Sequence, residues 1–255
     1  MTPLLVQSRP FEGVLLLELN RPGAMNALNG ELNAAITAAV REANRNDETK
    51  VIVLAGAGDR AFSAGADLKE MRGLSGPRLS RFIEATWEPC EALVASPIPS
   101  IAALHGHVLG GGAELALACD MRVGQGDLSF GFPEMTLGSL PGSGGLQRLP
   151  AITGRDRALE IVATGRRLLA AECLALGILT RHAKPGTSAR SAALELAAAI
   201  GERPTEPLRA LKAALALAGR PEAARVFHGL ASASFQSAAG YRQNTQSFRD
   251  QELPK

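Results

Sequence analysis

The sequence predicts an α/β fold, and three observations carry that expectation. Strand-like and helix-like segments alternate to about residue 150. One strand-like run, Val51-Ile52-Val53-Leu54-Ala55, is apolar at every position, as in a strand covered on both faces. The chain has 255 residues, 46% of them hydrophobic and 20% charged, which suits one large packed core and not a disordered chain.

The elements follow in order. Val14-Leu15-Leu16-Leu17-Glu18-Leu19 reads as a strand, ended by the turn residues Asn20-Arg21-Pro22-Gly23. Asn29 is placed to cap a helix that runs to about Asn44, with Leu32, Ile36 and Val40 as its buried stripe. After the apolar run, residues 56–66 read as a loop and a helix is expected from Asp67. From Arg78 to Val94 the pattern is helical, with Leu79, Phe82 and Ile83 on one face and a kink expected at Pro89. Pro97 and Pro99 precede the strand Ser100-Ile101-Ala102-Ala103-Leu104. Gly110-Gly111-Gly112 then lead a small-residue helix, Ala113 to Cys119, followed by short strands near Met121-Val123 and Leu128-Phe130. Ala-rich helical stretches at 156–164, 170–176, 188–200 and 206–217 come next, punctuated by Gly177, Pro185-Gly186, Pro204 and Gly219-Arg220-Pro221. An amphipathic stretch at 222–237 and a polar tail end the chain.

Composition limits the function. Lys and Arg number 27 against 25 Asp and Glu, and no long basic run occurs, which argues against a nucleic-acid partner. Aromatics make up 4%, so stacking platforms for bases or sugars are scarce. The first nine residues lack the basic and apolar regions of a signal peptide, and no apolar run approaches the ~18–20 residues of a membrane span. No membrane partner is expected, and the expected compartment is the cytoplasm. Cys90, Cys119 and Cys173 are odd in number and widely spaced, and read as buried thiols. Glycine, with 27 residues, is the feature that needs a reason.

Familiar motifs fail. Gly56-Ala57-Gly58-Asp59-Arg60-Ala61 imitates a dinucleotide fingerprint, but the Phe62-Ser63-Ala64-Gly65 that follows does not open a helix. Gly142-Ser143-Gly144-Gly145 has Gln147 where a third glycine would stand. P-loop, H-E-x-x-H and G-x-S-x-G patterns do not occur. His105 and His107 could face one side of a strand but have no third ligand in view, so no metal is expected.

Three segments share a property: small residues that leave backbone N–H groups open. They are Phe62 to Leu68, Gly106 to Leu115, and Phe132-Pro133-Glu134 with Leu137 to Gly142. A glycine-led helix start leaves its first N–H groups unsatisfied and favours an anion, including a transient oxyanion. Glu114 and Glu134 stand within this set in apolar surroundings. Two carboxyls near each other in an apolar wall push one pKa upward, which suits general acid/base work.

These motifs, taken together, resemble the crotonase, or enoyl-CoA hydratase/isomerase, superfamily. The resemblance covers nearly the whole chain: Leu19-Asn20-Arg21-Pro22 with Asn26-Ala27-Leu28, then Ala61 to Leu68, Gly106 to Leu115, Phe130 to Glu134, Leu137-Gly138 and Pro141 to Leu149. Thr164-Gly165, and Ala171 with Gly177-Ile178-Leu179, continue it. The resemblance implies a spiral of repeated β-β-α units in residues 1–190. It also implies a C-terminal helical region, 191–255, that builds trimers and hexamers. It implies an acyl-CoA thioester substrate, with coenzyme A part of that substrate and no separate cofactor. It places the enolate-stabilising N–H groups at Ala66 and Gly111. It makes Glu114 the residue that activates water and Glu134 the one that protonates the α-carbon. Gly142 would orient that side of the pocket, and Ala64, Ala66, Asp67, Leu68 and Lys69 would line the coenzyme A end. The activity implied is 2-enoyl-CoA hydration; the alternatives are Δ3–Δ2 isomerisation or another acyl-CoA reaction of the family, and a non-catalytic or RNA-binding use of the scaffold.

The chain departs from the family pattern at three places. Gly23 stands where many relatives carry a phosphate-binding Lys, which leaves Arg21, Lys69 or a neighbouring subunit for that role. His105-Gly106-His107 replaces the commoner Asn-Gly-Tyr or Asn-Gly-Val. Gly240-Tyr241-Arg242-Gln243-Asn244 replaces the usual Asp-x-x-Glu-Gly before the family's C-terminal Phe, here Phe248.

Overall fold

The structure, a computed structural model, describes residues 2–238, 241 and 245. Phe248 and all of the 240–244 segment except Tyr241 lie outside them. The chain divides into two compact units, Met1–Glu202 and Arg203–Lys255.

The first unit begins with β1 (Leu5–Phe11) and β2 (Val14–Leu19), an antiparallel pair. Then follow α1 (Gly30–Ala43), β3 (Val51–Gly56), β4 (Ala61–Ser63), α2 (Leu68–Met71) and α3 (Gly76–Ala95). Next come β5 (Ser100–Leu104), β6 (His107–Leu109), α4 (Gly111–Ala118), β7 (Met121–Gly124) and β8 (Ser129–Gly131). The unit closes with α5 (Gly145–Thr153), α6 (Arg155–Thr164), β9 (Leu168–Leu169), α7 (Ala170–Ala175), β10 (Arg181–His182) and α8 (Ala189–Gly201).

The strands sort into two sheets, ordered β1-β2-β3-β5-β7-β10 and β4-β6-β8-β9. Each turn of chain gives one strand to the first sheet, the next to the second, and then a helix. Thus β5 and β6 lie in parallel beside β3 and β4, and β7 and β8 in parallel beside β5 and β6. That winding is the expected β-β-α spiral, and the fold is α/β of the crotonase type.

β3 shows why a continuous apolar run was needed. Ile52 and Leu54 pack in the cluster that holds Leu32, Ile36 and Val40 of α1. Val51, Val53 and Ala55 pack in a second cluster with Ala189, Ala193 and Ala197 of α8. Side chains alternate across a strand, so a strand between two cores has no solvent face. Because α8 covers this sheet, the first unit runs to Glu202, whereas the resemblance set the boundary at residue 190.

Local chemistry sets the ends of α1, where the Asn29 side chain accepts from the Leu32 N–H at 3.0 Å. The expected 56–66 loop contains β4, and the helix expected from Asp67 is the four-residue α2, with Asp67 as its cap. α3 starts two residues before Arg78 and runs through Pro89 as one segment. α4 starts at Gly111, inside the glycine run. β1 is a polar edge strand with most residues exposed, which is why no periodic apolar signal announced it. In the second unit, α9 (Thr205–Leu215) and α10 (Pro221–Ser237) pack against each other. Among the described residues no helix is long and apolar enough to cross a membrane.

Candidate active site

The site begins with a free N–H at Ala66. Leu28 bridges this segment in parallel: its N–H donates to the Gly65 carbonyl at 2.8 Å, and its carbonyl accepts from Asp67 at 2.9 Å. A parallel bridge uses the residues on either side of Ala66, so the Ala66 N–H points the other way. The segment is laced in place. Asn26, fully buried with φ 52°, donates from Nδ2 to the Ala57 and Ala61 carbonyls at 2.9 and 2.8 Å. Ser63 Oγ donates to the Asn26 carbonyl at 2.8 Å. The Arg21 guanidinium donates to Asp67 at 2.8 Å and also to the Ala27 carbonyl.

Gly111 supplies the second free N–H. It is the first residue of α4, and Gly110 before it offers no capping side chain. The first helical bond is donated by Glu114 to the Gly110 carbonyl, so the Gly111 N–H has no helical acceptor. Gly65 lets the two segments approach: at φ 98°, a Cβ there would lie 2.8 Å from the Leu109 carbonyl and 3.2 Å from the Gly111 nitrogen. A Cβ on Gly111 itself would stand 3.5 Å from the Ala66 nitrogen. The two donors therefore flank one small space.

Glu114 is the ionisable residue of α4, which is otherwise Gly, Ala and Leu and buried over most of its length. Its carboxyl is 2% exposed as a residue but well partnered. Oε1 accepts from the Ser143 and Gly145 N–H groups at 2.7 and 2.8 Å, and Oε2 accepts from Gly142 at 3.3 Å. Burial pushes its pKa above the usual carboxylate range. The three N–H groups and the Arg148 charge oppose that rise.

Glu134 is placed by a 3-10 turn, Pro133–Leu137, whose carbonyl at Glu134 accepts from Ser139 at 2.9 Å. Its carboxyl lies against Gly110, where a Cβ would come within 2.8 Å of Oε1. Its Oε2 is buried with no hydrogen-bond partner. Burial, reinforced by the negative charge of Glu114, pushes its pKa up to about 7. The two carboxyls thus have different surroundings: Glu114 is held by three N–H donors, whereas Glu134 leaves Oε2 without a partner.

Both carboxyls and both N–H groups open on one cavity of about 340 Å³. Phe82, Ile83, Leu137 and Leu140 give it an apolar wall. Ala64, Leu68 and Gly142 also line it. Asp67 and Lys69 lie outside that wall. Asp67 caps α2 and pairs with Arg21. Burial raises its pKa, but Arg21 and the α2 N–H groups bring it below the usual range. Arg21 is engaged by this pair and by the Ala27 carbonyl. Lys69 is exposed on α2.

His105, His107 and the three cysteines do not line this cavity. His105 is half-buried and held below its ordinary pKa by that burial, while His107 is exposed. No group of His, Cys, Asp or Glu among the described residues is arranged to hold a metal. The three cysteines are buried thiols, as expected, and burial pushes Cys90 and Cys173 up to about 12. Sequence reasoning missed Thr86 and the hydrogen-bonding role of Ser143 and Gly145. Thr86 touches the site only across 57 positions of chain.

A β-β-α spiral that brings two carboxyls and two open N–H groups to one cavity defines the class of fold to which the chain belongs. The chain belongs to the enoyl-CoA hydratase/isomerase family, whose model matches residues 10–251. It is 36% identical over 226 residues to the enoyl-CoA isomerase/hydratase of Mycosarcoma maydis, covering 86% of this chain and 82% of that one. The enoyl-CoA hydratase of Bacillus anthracis superposes with a TM-score of 0.92 at 30% identity, over 99% and 98% of the two chains. The enoyl-CoA hydratase of Mycobacterium smegmatis gives 0.90 at 28%, over 99% and 98%. The family acts on acyl-CoA thioesters.

Proposed function

We propose that this chain hydrates 2-enoyl-CoA thioesters. The observation that carries the reading is the convergence of two differently held carboxyls and two free N–H groups on one apolar cavity. The thioester carbonyl oxygen accepts from Ala66 and Gly111, and the enolate charge develops on that oxygen. Such donors contribute most where charge appears in the transition state. Glu114, acceptor to three N–H groups, acts as the carboxylate that takes a proton from water as its oxygen bonds to the β-carbon. Glu134, whose bare Oε2 favours the neutral acid, delivers its proton to the α-carbon. The balance is one water added, with hydroxyl at the β-carbon and hydrogen at the α-carbon. A proton passed from Glu114 back to Glu134 resets the pair. Coenzyme A enters only as part of the substrate, and its phosphates lean on Arg21, Lys69 or a neighbouring subunit.

Isomerisation has a specific observation in its favour as well. One carboxyl with a free oxygen and a pKa up to about 7 can shuttle a proton between two carbons unaided. Glu114→Ala separates the readings. A hydratase loses turnover of 2-enoyl-CoAs, whereas an isomerase keeps turnover of 3-enoyl-CoAs. The primary test is a panel of 2-enoyl-CoAs of increasing chain length, followed by loss of the conjugated-thioester absorbance. Inactivity across the panel overturns the reading. We further assign the second unit to self-assembly into trimers or hexamers, which sedimentation velocity decides.

A further inference from the structure

The N–H groups that hold Glu114 come from a glycine-rich turn, and such a turn does not fix itself. Ser143 is the residue through which it is fixed. Its N–H donates to Glu114 at 2.7 Å, its carbonyl accepts from Arg148 Nη1 at 2.7 Å, and its hydroxyl donates to Thr86 Oγ1 at 2.7 Å. Thr86 sits in α3 and passes its own proton to the Ile83 carbonyl at 2.6 Å. The order is therefore fixed: Ser143 hydroxyl to Thr86 hydroxyl to α3 backbone. Thr86 needs both a donor and an acceptor function to complete it, which valine, of similar shape, cannot supply.

We propose that Thr86 is a positioning residue for the reaction: with Ser143 it latches the 142–145 turn onto Glu114, and so sets that carboxylate's ionisation and aim. The proposal rests on the hydratase reading of this site. Three other titratable or charged groups face Glu114: Arg148 from α5, Glu134 from the 3-10 turn, and the Cys90 thiol from α3. Burial keeps Cys90 neutral, so Arg148 and Glu134 set the field. Neither is removed by a change at Thr86. Loosening the turn weakens N–H bonds that favour the charged form, so Glu114 then titrates at higher pH.

The test compares Thr86→Val, Thr86→Ser and Ser143→Ala in the full chain. The first readout is an isotope-edited NMR titration of the glutamate carboxyl carbons, which needs no activity. The latch requires Glu114 to titrate higher in Thr86→Val and Ser143→Ala, and as in the wild type in Thr86→Ser. The second readout is hydration. In Thr86→Val kcat falls about ten-fold, the most one neutral hydrogen bond is expected to be worth, with KM within about two-fold. The acid limb of its pH profile moves up, and Thr86→Ser restores both. An unmoved Glu114 in Thr86→Val, or an equal shift in Thr86→Ser, overturns the latch. Wild-type inactivity overturns the hydratase reading instead, while the titration still decides the latch.

Discussion

At the scale of single residues, the two glutamates differ by what surrounds them more than by where they stand. Glu114 is more deeply buried yet has three N–H donors; Glu134 has a bare buried oxygen and a pKa of about 7. An acid that must start protonated loses its function as pH rises through its pKa, so hydration should fall through about 7 on the alkaline side. Glu134→Gln should lower kcat by about 10²–10⁴-fold with little change in KM, measured by steady-state kinetics. Stability supplies an independent check. The folded pKa of Glu134 lies above its ordinary 4.5, so its contribution is full below that value and is lost as pH rises through about 7. Glu134→Gln should therefore raise the melting temperature at pH 8 relative to the wild type and leave it little changed at pH 4. At Gly111 the backbone is open to a methyl group, with ordinary contacts to Ala66 and Leu28. Gly111→Ala should fold, crowd the N–H pair and reduce kcat by about 10²–10³-fold, as loss of one oxyanion donor does.

At the scale of elements, the site depends on short pieces held by side chains. Ala66 points its N–H into the cavity because Leu28 bridges it and because Arg21 and Asp67 tie the two loops. Asp67→Ala removes both the α2 cap and the partner of Arg21. It should cost about 1–3 kcal/mol by denaturant midpoint, and kcat/KM should fall with it. These elements also show what could be read in advance. β3, α1 and β5 were legible because burial imposes a period or a continuous apolar run. The segments around Ala66, Gly111, Glu114 and Glu134 stood out because small residues beside acids in apolar surroundings are unusual, while the part assigned to each residue came from the family resemblance. β4 and β6 have three residues each, too few to show a period. Thr86 carries no local signal, since its meaning lies in a partner far along the chain.

At the scale of the whole molecule, the spiral brings residues from distant turns to one wall. Each turn lays a strand beside the last, so the loops before α2 and α4 end side by side, and the turn before α5 closes over Glu114. The other sheet of the spiral, β1-β2-β3-β5-β7-β10, is covered by α8, whose small residues allow close approach. Ala193, fully buried there, marks that contact. Ala193→Leu should overpack it and cost about 1–3 kcal/mol, read as a lower melting temperature with an unchanged KM. For the molecule as a whole, the proposed chemistry requires water to add across the double bond of a 2-enoyl-CoA, with both carboxyls needed. The direct measurement is hydration in isotopically labelled water by the wild type, Glu114→Gln and Glu134→Gln, with the product analysed by mass spectrometry. The wild type should place solvent oxygen at the β-carbon and solvent hydrogen at the α-carbon, and each variant should lose about 10²–10⁴-fold in rate. Product without solvent oxygen, or full activity in either variant, would contradict that chemistry.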